Sequence, residues 1–96
     1  MPTYVSLLEF TQDGVESIED LPTRDEEGTA LLSSMGVEIT DHYYTLGQYD
    51  EVVVCEAPDD ETVAQGMLAV ASEGNVSTET LRAFSEDEFH DVVGGI

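Results

Sequence analysis

Lysine is missing from this chain altogether, and Arg24 and Arg82 are its only arginines, against 22 Asp and Glu, for a formal net charge of -20. Nucleic acids and anionic membranes are bound through clustered Lys and Arg, so no nucleic-acid or membrane partner is expected. A lone cysteine, Cys55, excludes an internal disulfide. It ends the run Val52-Val53-Val54-Cys55 and reads as a small buried hydrophobe. No apolar run approaches the roughly 18 residues of a transmembrane helix, and no secretory segment precedes Tyr4. The expectation is a soluble, cytoplasmic protein.

Such acidity alone suggests disorder, but 41% of the residues are hydrophobic and they fall in periodic segments. The 96 residues are expected to form one domain, 1–96, near the low end for an independent core. Spread over about 5,400 Å² of folded surface, the net charges lie about 16 Å apart on average. At about 0.15 M salt the Debye length is about 8 Å, and it shrinks to about 3 Å near 1 M. Acids distributed along the whole chain, with no lysine, therefore read as adaptation to a salt-rich, halophilic cytoplasm.

Thr3 to Phe10 is apolar on both alternations, as in a strand covered on two faces. Thr11 or Asp13 caps a helix carrying Val15, Ile18 and Leu21. Pro22 interrupts it, and Thr23-Arg24-Asp25-Glu26 has the spacing of a capping box for a restart. Leu31, Leu32 and Met35 continue the stripe to Gly36. Val37 to Thr45 is a half-exposed strand, Leu46 to Tyr49 a tight connection, and Asp50 to Glu56 a second central strand. Asp59-Asp60-Glu61 open a helix with Val63, Met67, Val70 and Ala71 as its buried stripe and Gly74 as its end. Asn75 to Phe84 alternates as a strand, and Ser85-Glu86-Asp87-Glu88 is a capping box for a short terminal helix.

This order predicts an α+β fold: a ferredoxin-like βαββαβ plan with a four-stranded antiparallel sheet, two helices on one face, and a short C-terminal helix. Two helices cover one sheet face only, yet the first and third strands are apolar on both. The second face is expected to meet a second copy of the chain, giving a homodimer or larger homo-oligomer; the alternative cover is the C-terminal helix folding back.

At Gly47-Gln48-Tyr49-Asp50 the chain resembles the GYD domain family. The likeness extends through Tyr4, Phe10-Thr11, Gly14, Arg24 after Pro22, Gly36, Glu56-Ala57-Pro58-Asp59-Asp60-Glu61, Gly74-Asn75-Val76, Thr78 and Thr80. It implies a ferredoxin-like fold similar to dimeric α/β-barrel proteins, and it implies no defined biochemical role.

Gly47 is expected at a turn that requires positive φ. Tyr49 and Asp50 either line a pocket or brace that turn. Arg24 and Arg82, retained where other cations are gone, either pair within the fold or offer a bidentate site to an anion. His42 and Tyr44, two apart on one strand with Thr40 alongside, are candidates for a base and a polarising donor; His90 is a weaker one. His42, Cys55 and His90 have no metal-ligand spacing, and there is no phosphate loop or dinucleotide fingerprint, so neither metal nor cofactor is expected. Three functional readings follow: binding of a small, anionic metabolite between sheet and helices by Arg24, Tyr49, Asp50 and Arg82, with Tyr44 as the alternative to Tyr49; a cofactor-independent enzyme, of isomerase or monooxygenase type by analogy with the dimeric α/β-barrel proteins that the chain resembles, using His42 and Tyr44; and a structural or interaction module.

Overall fold

The structure, a computed structural model, describes residues 1–96. Strand β1 (Thr3–Phe10) leads into α1 (Gln12–Glu16), a single 3-10 turn (Ile18–Asp20) and α2 (Leu21–Ser34). Then come β2 (Glu38–Tyr44), β3 (Glu51–Glu56), α3 (Asp60–Ala71), β4 (Val76–Ala83) and α4 (Glu86–Gly94). The strands form one sheet in the order β2-β3-β1-β4, antiparallel throughout. This is the ferredoxin-like arrangement, with the two apolar strands β1 and β3 at its centre.

Local chemistry sets most element ends. The Thr11 hydroxyl accepts the Gly14 amide at 3.1 Å, capping α1, and donates to the Gly74 carbonyl at 2.6 Å. A Cβ on Gly14 would stand 2.1 Å from the Asn75 carbonyl oxygen, so only glycine allows the α1 and β4 backbones to meet this closely. Asp59 caps α3 through the Thr62 amide, and Ser85 and Glu88 form the expected reciprocal box on α4. One expectation fails. Thr23 caps nothing, because α2 already begins at Leu21 with Pro22 inside its first turn. The missing proline N–H is no loss there and its fixed φ suits a helix start, so Thr23 to Glu26 lie within the helix.

Residues directly opposed across antiparallel strands share a face. Tyr4, Ser6 and Leu8 on β1 oppose Cys55, Val53 and Glu51 on β3, and all six are buried beneath α2 and α3. The central cluster comprises Tyr4, Leu32, Val37, Cys55, Ala57, Val63 and Met67. Cys55 is fully buried, as expected. Gly66 lets α3 approach α2: a Cβ there would lie 2.9 Å from Leu32 Cδ2 and 3.1 Å from Val37 Cγ2.

The opposite face carries Val5, Leu7, Val52, Val54, Tyr43 and Leu81, with no element over it. Helix α4 does not fold back onto that face. Each of its residues is exposed, and it is steadied at its root by the Phe84–Phe89 ring contact at 6.0 Å and the Arg82–Glu88 pair at 3.8 Å. The chain accordingly exposes 6035 Å², more than the roughly 5,400 Å² expected of a compact protein of this mass.

Candidate functional site

Between α2 and the β2–β3 end of the sheet lies a cavity of about 70 Å³. Leu8, Leu32, Ile39, Val53, Met67 and Val70 make its apolar walls, and Arg24, Asp25, His42 and Glu51 meet at its polar end. Three elements bring these polar groups together. Arg24 and Asp25 sit in the second turn of α2, His42 comes from β2, and Glu51 opens β3.

Strand β2 reaches this site through a bulge. Ile39 pairs with Cys55, Asp41 pairs with Val54, and the register shifts between Ile39 and Asp41. The inserted residue puts Ile39, His42 and Tyr44 all on the helix side of the sheet, opposite Cys55, Val53 and Glu51. Simple alternation groups Thr40 with His42 and Tyr44; the bulge separates them.

Glu51 is 5% exposed, and burial raises its proton affinity, partly opposed by His42. His42 Nε2 lies 3.8 Å from Glu51 Oε2, beyond hydrogen-bond distance. That nitrogen is buried and has no hydrogen-bond partner, an omission that typically costs about 1–3 kcal/mol. The Tyr44 hydroxyl donates to Asp25. Desolvation first, then that bond and the neighbouring Glu51 charge, raise the phenol's pKa well above its ordinary value. Tyr44 is thus a fixed donor to a carboxylate, with its ring centroid 5.0 Å from that of His42. Chemically the cluster offers a buried acid beside an imidazole, suited to proton transfer. It also offers an N,O,O donor set, since ligand atoms of Asp25, His42 and Glu51 all lie within 4.8 Å of one another.

The other candidates go elsewhere. Arg24 borders the cavity, but its Nη1 donates to the Ser17 carbonyl at 2.8 Å and hydroxyl at 2.6 Å, and its Nη2 to the Gly14 carbonyl at 3.2 Å. Asp50 braces the hairpin: its carboxylate accepts the Phe10 amide at 2.8 Å, and its own amide donates to the Leu8 carbonyl at 2.8 Å. Gly47 has φ 104°, as that turn requires. Tyr49 lies on the open side of the sheet, donating to Glu79, and that hydrogen bond raises its pKa. Arg82 stacks 4.5 Å from the Phe84 ring centroid and 5.8 Å from that of Tyr4. His90 stands 3.8 Å from Glu86 on exposed α4. Sequence reading missed Asp25 and Glu51. Asp25 stood only as a spacer within the Thr23–Glu26 pattern and Glu51 in no motif, and only the β2–β3 register and the position of α2 join them to His42.

A sequence profile described as the GYD domain matches residues 4–93. A Thermus thermophilus protein named glutamine synthetase and cystathionine beta-lyase binding protein is 44% identical over 84 residues, covering 86% of this chain and 88% of that one. Among solved structures, FFRP-DM1 superposes with a TM-score of 0.60 at 16% identity, over 88% of this chain and 100% of that one. TTHA0845, also from Thermus thermophilus, does so at 0.58 and 22% identity, over 88% and 95% of the two chains. At such identities these two structures speak to the fold alone.

Proposed function

The chain belongs to the GYD domain family, and from that premise we propose that it is a self-associating protein-binding module that docks on a metabolic enzyme, with glutamine synthetase as the first candidate. The observation that carries this reading is α4. Phe89, Val92 and Val93 stand on one helical face, each about half exposed, on a helix that packs against no other part of the chain beyond its root. An exposed apolar stripe on an otherwise strongly acidic protein is a docking feature. The name of the Thermus thermophilus relative supports a protein partner of this kind.

Self-association is assigned to the open sheet face. Val5, Leu7, Val52, Val54, Tyr43 and Leu81 form an apolar patch on a two-layer fold whose other face is already covered, and a second copy about a two-fold axis covers it most simply. We place this work in a salt-rich cytoplasm, where twenty net charges per chain are screened. No helix is long and apolar enough to cross a membrane.

The test is size-exclusion chromatography with light scattering in molar KCl, with and without glutamine synthetase from the same organism. A dimer or larger species that co-elutes with the enzyme is expected. Val92→Asp with Val93→Asp, which spares the Phe84–Phe89 contact, is expected to abolish co-elution and leave the unfolding midpoint nearly unchanged. A monomer overturns the self-association; a variant that still co-elutes overturns the docking role of α4.

A second reading follows from the cavity: its polar groups meet at one end of an apolar chamber, as in sites for small ligands. Arg24 is engaged on carbonyls, and three carboxylate residues, Asp25, Glu51 and Glu73, line the space. The ligand favoured is one that presents hydrogen-bond donors or positive charge, in place of the anion that two retained arginines suggest.

A further inference from the structure

We propose that Asp25, His42 and Glu51 bind one borderline divalent transition-metal ion, zinc or a first-row neighbour, at the polar end of the cavity. The site deepens the cavity reading above and rests on it only for the ion's open side. Three observations carry it independently of sequence spacing.

The donor set is one imidazole nitrogen and two carboxylate oxygens, held within 4.8 Å of one another. Ligand atoms about 2.1 Å from a tetrahedral ion stand roughly 3.4 Å apart. The His42–Glu51 pair is at 3.8 Å already, so the widest pair has to close by at most about 1.4 Å to reach that spacing, a movement that rotation of the Asp25 and Glu51 side chains can supply.

His42 Nε2 is the one buried side-chain polar atom without a hydrogen-bond partner. It faces a buried carboxylate at a distance too long for a bond and too short to admit a water between them. An ion seated there engages that nitrogen and neutralises Glu51 at the same time.

The surroundings resemble the outer shell of a metal site, in which ligating carboxylates are themselves hydrogen-bonded. Tyr44 donates to Asp25 and so orients that carboxylate. The walls formed by Leu8, Leu32 and Ile39 leave the ion's remaining positions facing the apolar part of the cavity, the open geometry of a site that takes a further ligand.

Twenty-two acidic residues attract cations loosely, so discrimination rests on the imidazole. Nitrogen ligation favours zinc, iron or nickel, whereas magnesium and calcium are served by oxygen alone. The exposed Glu86–His90 pair on α4 is the competing site, and a His90→Ala background removes it.

The experiment is calorimetric titration of zinc chloride into chelator-treated His90→Ala protein in molar KCl. One ion per chain is expected, magnesium at equal concentration is expected not to compete, and Asp25→Asn and His42→Ala are each expected to weaken zinc at least about tenfold. Several equivalent ions per chain, full competition by magnesium, or unaltered binding in both variants overturns the proposal. Because His42→Ala alters a half-buried position, unsubstituted protein provides a second readout. Substoichiometric nickel, which is paramagnetic and favours imidazole, is expected to broaden the imidazole NMR signals of His42 before those of His90; the reverse order overturns the proposal. A thermal-shift metabolite screen on chelator-treated protein tests the cavity reading separately. A metabolite that binds without metal upholds that reading whatever the zinc result, and zinc binding with no metabolite hit upholds the ion alone.

Discussion

Arg24 holds Ser17 twice with one nitrogen, through its carbonyl and through its hydroxyl. Ser17 is the C-cap of α1, so the guanidinium from α2 supplies donors and positive charge to the Ser17 and Gly14 carbonyls at the negative end of that short helix. A cation kept in so acidic a chain is thereby explained by the joint between two helices. Arg24→Ala is expected to destabilise the protein by about 2 kcal/mol, as charged donors to backbone carbonyls are lost. For a domain of this size that lowers the melting temperature by about 8–16 °C. Arg24→Lys, with one ammonium in place of a fork, is expected to recover only part, and differential scanning calorimetry in molar KCl measures both.

Gly66 predicts an effect of the opposite kind, overfilling. A methyl group there meets Leu32 and Val37 inside the α2–α3 contact, and Gly66→Ala is expected to cost about 1–3 kcal/mol despite alanine's better helix propensity. Leu32→Val removes part of the obstruction. The double variant is expected to be more stable than the sum of the singles implies, by urea unfolding; strict additivity rejects the steric account.

The pH prediction concerns Glu51. Its folded proton affinity is raised by burial above the ordinary 4.5, so the folded state holds more protons than the unfolded one and stability falls as pH rises through that interval. Glu51→Gln in chelator-treated protein removes this liability. The variant is expected to melt higher than the unsubstituted protein near neutral pH, and to lose that advantage as pH falls below the ordinary carboxylate range. Parallel curves for the two proteins across that range contradict the sign.

Salt is the fourth lever. From about 0.1 to about 2 M KCl the Debye length shrinks severalfold, and repulsion among the 22 carboxylates fades with it. The unfolding midpoint is expected to climb across that interval, steeply at first. A flat profile rejects the reading of this acidity as salt adaptation.

The sheet was readable because β1 and β3 are apolar on both alternations, a pattern only central strands show. Caps at Thr11 and Ser85 were readable too, since each is a side chain bonding an amide three residues on; Asp59, read as part of the first turn of α3, is instead its cap. Pro22 misled, because a proline in a first helical turn and a proline that breaks a helix look alike in sequence. The site was harder. His42 and Tyr44 stood out as residue types, but Asp25 and Glu51 were two carboxylates among many, made special by burial and register. Tyr49 left the group because the Gly47 turn carries it to the open side of the sheet, where it meets Glu79.

The bulge in β2 acts as a reading frame for the cavity. One residue more than the ladder requires lies between Ile39 and His42, and the strand beyond it is phased by that surplus. Were the surplus residue drawn into an even ladder, Asp41 would stand opposite Val53 and Tyr43 opposite Glu51, and His42 and Tyr44 would turn out to the open face; deleting Thr40 instead leaves Ile39, His42 and Tyr44 opposite Cys55, Val53 and Glu51. An acid–imidazole chamber and an aromatic outer surface are thus two settings of the same seven-residue strand, separated by whether one residue is left out of the ladder.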